Sequence, residues 1–195
     1  EGAYLFYAKV IEKIKDCKII LYNFEKLSGY KFSIDCVERL VKDFPEQIIG
    51  VKDSTYNLYE KLKIPNFSVL PGSELKLLKG LEIGCSGIIT ATCNVTAALA
   101  RKVYDDFQDK KSQTINEKLC KVRKVFDKYN LISALHSYKS DNQSFFKRIL
   151  PPLKLLDERQ HKELILELKN LNFVPEDSLA AWENYDFSKI IFKNL

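Results

Sequence analysis

Methionine is absent from all 195 residues, tryptophan occurs once (Trp182) and histidine twice (His136, His161). With no methionine to initiate it, and with helical spacing already running at its start (Tyr4, Leu5, Ala8, Val10, Ile11, Ile14), the chain is expected to be the C-terminal part of a longer protein. Two histidines and five scattered cysteines (Cys17, Cys36, Cys85, Cys93, Cys120), none in a C-x-x-C pair, exclude an ordinary zinc site, so no metal is expected. An odd number of unpaired cysteines suits reduced thiols in the cytoplasm. Long apolar runs are missing as well. Runs such as 18–21 and 87–91 are strand-sized and fall far short of the roughly 20 residues that span a membrane. The first stretch mixes acidic with apolar residues, so a secretory leader is not expected there.

Arginine is scarce too: only Arg39, Arg101, Arg123, Arg148 and Arg159 among 31 basic residues, set against 26 acidic ones for a net charge of +5. A nucleic-acid binder clusters positive charge and uses arginine forks. Here lysines alternate with Asp and Glu, which suits solvated helix faces and excludes nucleic acid as a partner. What the chain does have is core-forming material: it is 46% hydrophobic, enough to bury one or two ordinary domains.

Four short β-branched runs organise the first half: CKIILYN (17–23), IIGVKD (48–53), FSVL (67–70) and GIITAT (87–92). Helical spacing fills the gaps. Ser33 is placed to cap a helix carrying Ile34, Val37, Leu40 and Val41. Tyr56, Tyr59 and Leu62 predict a shorter helix. Leu75, Leu77, Leu78 and Leu81 predict a third, entered at Ser73 and closed near Gly84, and 97–107 a fourth. Strands that read as continuous apolar runs predict a parallel sheet buried on both faces, hence an α/β fold. Four strands are too few to close a (β/α)8 barrel, and no G-x-G-x-x-G turn supports a dinucleotide-binding sheet. After about residue 110 helices take over. TINE (114–117) is a capping-box signal before Leu119, Val122, Val125, Phe126 and Tyr129, a helix is expected at 131–138, Pro151-Pro152 breaks the chain, and Asp157 starts another helix. The expected organisation is 1–110 as the α/β part, 111–171 as a helical appendage, and 172–195 as a tail of unassigned structure.

Lys52 is the residue that needs explaining. It ends a buried-type strand, where lysine is rare unless paired or functional. Removing an ammonium group from water favours the neutral amine, which attacks a ketone to form a Schiff base. A snorkelling lysine, or one paired with Asp53, is the commoner arrangement on position alone. Tyr22 closes the preceding strand 30 residues earlier, and neighbouring strand ends of a parallel sheet bring such side chains together. A phenol beside a Schiff-base lysine can relay protons; the alternative is an ordinary core tyrosine. The next two runs end in PGSE (71–74) and ITAT (89–92), which present hydroxyls and backbone groups at the same end, or serve as plain strand–helix turns with Ser73 as a cap.

Taken in order, YNFEKLSG (22–29), GVKDS (50–54), PGSE (71–74) and GCSGIITATCNV (84–95) resemble the dihydrodipicolinate synthase/N-acetylneuraminate lyase family over roughly residues 1–171. The resemblance implies a TIM (β/α)8 barrel, here its last four strand–helix units plus a C-terminal helical appendage. It also implies class I chemistry on pyruvate or another 2-oxo acid, joined to or cleaved from an aldehyde. Lys52 matches the family's Schiff-base lysine and Tyr22 its proton-relaying tyrosine. Ile89 matches a residue whose backbone meets bound pyruvate, and Gly72, Glu74 and Thr90 match positions that hold the rest of the substrate in some members. Full-length relatives are commonly homo-oligomers, and no organic cofactor is implied, because the lysine itself is the electron sink.

The chain also departs from the pattern. Glu25 stands near where the family usually has proline, and Leu27 stands where the synthases carry an arginine for the aldehyde's carboxylate, so a bidentate clamp is lost. LSG (27–29) looks more like the sugar-acid lyases, whereas GIITATCNV looks more like the synthases. The family's hydroxyl-rich segment for the pyruvate carboxylate falls before Glu1. The expected function is a Schiff-base pyruvate aldolase, lyase or synthase, with this piece alone inactive. The alternative is a relative of the same fold that binds a 2-oxo acid or a partner without turning it over.

Overall fold

Three parallel strands, β1 (Ile19–Asn23), β2 (Ile48–Asp53) and β3 (Ser68–Pro71), pair in the order β1-β2-β3. The computed structural model describes residues 1–14 and 16–174; the expectation for the tail, with Trp182, lies for residues 175–195 outside the described residues. Eight helices accompany the strands among the described residues: α1 (Gly2–Lys13), α2 (Glu25–Ser28), α3 (Ile34–Asp43), α4 (Leu77–Glu82), α5 (Cys93–Gln108), α6 (Asn116–Phe126), α7 (Leu131–Ser140) and α8 (Glu158–Asn170). Short 3-10 turns stand at Glu74–Lys76 and Ser144–Lys147. None of these helices is long and apolar enough to cross a membrane. The described residues pack as two compact units, Glu1–Gly72 with Lys79–Ile89, and Ser73–Leu78 with the residues from Thr90 onward.

In the first unit, Leu21, Val51 and Val69 lie level with one another across the sheet, on a face covered by Ile11, Phe32, Val37, Leu40 and Leu58. Each fully buried side chain of this kind contributes roughly 1.5–3 kcal/mol. The opposite face differs from the expectation of a sheet buried on both sides. Ile20 is 43% exposed and Tyr22 40% exposed, with Lys52 and Leu70 half-buried beside them. Apolar runs cannot report this, because both faces of such a strand carry the same kind of residue.

Local signals set the helix ends. The Ser33 side chain accepts the Cys36 N–H at 3.2 Å to start α3, and Ser73 accepts the Leu75 N–H at 3.3 Å to start the turn leading into α4. Gly29, at φ +75°, stops α2 in the left-handed conformation that glycine adopts without strain.

Two expected elements in this unit are absent. The run 87–92 is not a strand. Ser86 donates to the Val69 carbonyl at 3.0 Å and Ile89 to the Pro71 carbonyl at 3.2 Å, so three residues advance on one side against two on the other. The surplus residue and Gly87 at φ +146° break the ladder in the manner of a bulge. The run therefore lies along β3 without pairing as a fourth strand. The helix expected over Tyr56–Leu62 is a series of turns instead. Tyr56 has φ +62°, and the Asp53 carboxylate takes the N–H groups of Tyr56, Leu58 and Tyr59, each at 2.9 Å, which holds that backbone out of a helix.

The second unit is helical, its core built by Val95, Val122, Phe126, Ala134, Leu164 and Leu168. Helix α5 begins at Cys93, four residues before the expected start, and α7 and α8 stand where the sequence places them. The capping box expected at 114–117 does not form. The N-cap of α6 is Ile115, with no side-chain bond.

Candidate active site

The register of the first unit places Tyr22 directly opposite Lys52 and Asn23 opposite Asp53. Successive strand residues point to opposite faces, so the two pairs share the strand ends but not a side. On the half-open face the Lys52 Nζ stands 4.0 Å above the centre of the Tyr22 ring, a cation–π contact, with the phenol oxygen at the rim of the same ring. Tyr22 also packs on Phe24 at 5.8 Å between ring centres. The arrangement holds the amine against an aromatic face at the carboxyl end of a parallel sheet, where α/β enzymes build their sites.

Asp53 is not the partner of Lys52. Its carboxylate, with no exposure, accepts the Asn23 side-chain amide at 2.7 Å together with the three backbone N–H groups of the 56–59 turn. Asn23, 1% exposed, extends the network: its Nδ2 donates to Asn57 Oδ1 at 2.8 Å and its Oδ1 accepts the Phe32 N–H at 3.0 Å. Asn57 Nδ2 donates in turn to the Phe32 carbonyl at 2.9 Å. In the sequence Asn23 is simply a strand-end residue and Asp53 only a candidate partner for Lys52; an amide directly opposite an acid at two strand ends is the available signal.

Gly72 and Ile89 lie in the same unit. The Gly72 N–H donates to the Asp53 carbonyl at 2.9 Å, and a Cβ on Gly72 would fall 2.2 Å from Ser54 Oγ, so only glycine fits there. Ile89, 38% exposed, spends its N–H on the Pro71 carbonyl.

Glu74 and Thr90 meet in the second unit, in a cluster that the sequence did not disclose. Glu74 has no exposure. One carboxylate oxygen accepts Arg123 at 2.8 Å and Thr90 Oγ1 at 3.0 Å, while the other accepts Thr96 Oγ1 at 3.0 Å. Arg123 also donates to Thr90 Oγ1 at 3.0 Å and to Asp127 at 2.8 Å. With its oxygens committed in this way, Glu74 holds side chains in place rather than reaching outward. Burial works against the Arg123 charge, but the bonds to Glu74 and Asp127 more than offset it and hold the guanidinium above its usual pKa. Burial, with help from the Glu74 charge, pushes the nearby Cys93 thiol up to about 12, so it is no nucleophile at neutral pH. Among the described residues no cluster of three His, Cys, Asp or Glu side chains is placed to hold a metal ion.

The family model described as the dihydrodipicolinate synthetase family matches residues 1–171. The chain belongs to that family. A family member from Hydrogenobaculum sp., 4-hydroxy-tetrahydrodipicolinate synthase, is 36% identical over 99 residues, 49% of this chain and 33% of that protein. The enzyme of the same name from Methanopyrus kandleri is 25% identical over 185 residues, 90% of this chain and 61% of that one. The fold is shared with dihydrodipicolinate synthase from Aquifex aeolicus (TM-score 0.78, 22% identity, 90% of this chain and 62% of that one). It is shared equally with YagE, a prophage protein of the family from E. coli solved in complex with pyruvate (TM-score 0.77, 20% identity, 88% and 61%). These neighbours are TIM barrels, and the chain spans between a third and about three fifths of the length of these family members.

Proposed function

We propose that this chain carries the reacting half of a pyruvate-dependent Schiff-base aldolase or synthase, corresponding to the last four strand–helix units of the family's barrel and its C-terminal helices. One observation carries the reading: the Lys52 amine and the Tyr22 ring face each other on the half-open side of the sheet, at paired positions of neighbouring strand ends. In the reaction, the Lys52 ammonium gives up a proton and the amine so formed adds to the keto carbon of pyruvate. The carbinolamine loses its oxygen as water, with Tyr22 supplying the proton, and an iminium forms. Loss of a proton from the methyl carbon gives an enamine. Its carbon attacks an aldehyde, and water then hydrolyses the new iminium to release product and the free amine. Run backwards, the same steps cleave.

Leu27, 74% exposed, offers no charge to an aldehyde's carboxylate, so the second substrate is selected by groups other than an arginine at this position. Ile89, Thr90, Gly72 and Glu74 belong to the proposal as the residues shaping the substrate site, Glu74 by holding Thr90. Five free thiols among the described residues fit a reducing compartment such as the cytoplasm.

Treating the protein, carrying this chain, with pyruvate and borohydride and mapping the reduced adduct by mass spectrometry tests the reading. The expected adduct sits on Lys52, and Tyr22→Phe is expected to slow its formation by about 10²–10⁴-fold. An adduct on another lysine, or pyruvate bound without any adduct, overturns it and leaves the non-catalytic binding protein as the better account.

A further inference from the structure

We propose that Asp53 is a positioning residue: acting through Asn23 on the far side of the sheet, it fixes the stagger of the two strand ends that sets the Lys52 amine over the Tyr22 ring. The inference rests on the reading of Lys52 and Tyr22 as the reacting pair.

Strand ends fray because their last residues have few ladder bonds left, and Tyr22 and Lys52 are each the penultimate residue of their strand. Beyond them the chain turns away at once, through Phe24 after β1 and Ser54 after β2. What holds the ends is the buried polar knot. Asn23 and Asp53 are bonded side chain to side chain at 2.7 Å, directly behind the reacting pair. The Ser54 N–H adds a bond to the Asn23 carbonyl at 2.9 Å. Asn23, Asn57 and Phe32 close a ring of three hydrogen bonds, which ties the segment leaving β1 to the segment leaving β2. Asp53 in turn gathers the three N–H groups of the 56–59 turn.

A buried carboxylate satisfied by four donors has a single stable arrangement, and such fully satisfied networks are rigid. An isosteric amide at this position has an NH2 group facing N–H donors, so at least one bond becomes a clash of donors and the knot opens. The charge of Asp53 thereby works as a lock on geometry. Chemistry between an amine, a keto carbon and a phenol is sensitive to displacements of an ångström or less.

Asp53→Asn is the test, read in two independent ways. In the pyruvate–borohydride reaction at saturating pyruvate, its rate of adduct formation on Lys52 is expected to fall about 10–100-fold. Crossed with Tyr22→Phe, the two losses are expected to fall well short of multiplying, because Asp53 acts through the tyrosine contact; a merely structural role predicts independent losses. The second reading needs no pyruvate. Competitive acetylation by acetic anhydride, with Lys52 measured against exposed lysines by mass spectrometry, is expected to rise severalfold in Asp53→Asn as the ring ceases to cover the amine. Independent losses in the cycle, or unchanged acetylation of Lys52 in the folded variant, overturn the inference. A wild-type protein that forms no adduct on Lys52 counts against the proposed function alone, and the acetylation comparison still decides the role of Asp53.

Discussion

Glu74 and Arg123 show how much a single buried pair depends on both members. The carboxylate has no exposure, and Arg123 reaches it from 49 residues further along the chain. Removing one partner of a buried pair leaves the other charge desolvated and alone, at a cost of about 3–5 kcal/mol. Arg123→Met is therefore expected to lower stability by that amount in denaturant unfolding. Adding Glu74→Gln removes the orphaned charge and keeps an acceptor for Thr90. Its NH2 turns to the Thr96 hydroxyl, which can accept it while donating to the Thr92 carbonyl at 3.0 Å, so the second substitution is expected to recover at least half of the loss. A single variant as stable as the wild type shows the pair to be idle. The residue scale is also where the sequence was least legible. Lys52, Tyr22, Glu74 and Thr90 stood out through their motifs, whereas Arg123 lies in an ordinary amphipathic helix and only folding brings it to Glu74. Asn23 and Asp53 were visible as neighbours of the two reacting residues, but the period-two geometry that turns them to the other face needed the register of β1 against β2.

Among the elements, those legible in the sequence have their cause within a few residues. Ser33, Ser73 and Asp157 all cap as their spacing indicates. Asp157 forms a full capping box, its side chain accepting the Gln160 N–H at 2.8 Å and its own N–H donating to Gln160 Oε1 at 3.4 Å. Asp157→Ala is expected to cost about 1 kcal/mol in thermal or denaturant unfolding. Thr114 carries the same kind of signal without forming the cap, so Thr114→Ala is expected to stay within about 0.5 kcal/mol. Equal losses at the two sites contradict this assignment of helix starts. The elements that were misread have causes that periodicity does not carry: the carboxylate of Asp53, a few residues upstream, holds 56–59 in turns, and the run 87–92 is set by its offset bonds to β3. Periodicity reports which residues want burial, and it is silent about a buried acid that captures a neighbouring backbone.

For the molecule as a whole, the unequal faces of the sheet matter most. Leu21, Val51, Asn23 and Asp53 are sealed on one side, while Ile20 and Tyr22 stand 43% and 40% exposed on the other. Parallel sheets are almost always covered on both faces, and the family's barrels, of which this chain spans about three fifths, cover theirs. Among the described residues the open face presents apolar side chains and β1 pairs along one edge only, the two features that draw other chains into contact. A polypeptide of these 195 residues alone is therefore expected to self-associate in a concentration-dependent way in sedimentation velocity. Ile20→Lys, on the open face and outside the reacting pair, is expected to weaken that association, because bringing copies together then costs the desolvation of a charge. A monomer that melts cooperatively at every concentration, with or without Ile20→Lys, shows that the half-open face needs no cover and that the strand ends bearing Lys52 and Tyr22 are stable without one.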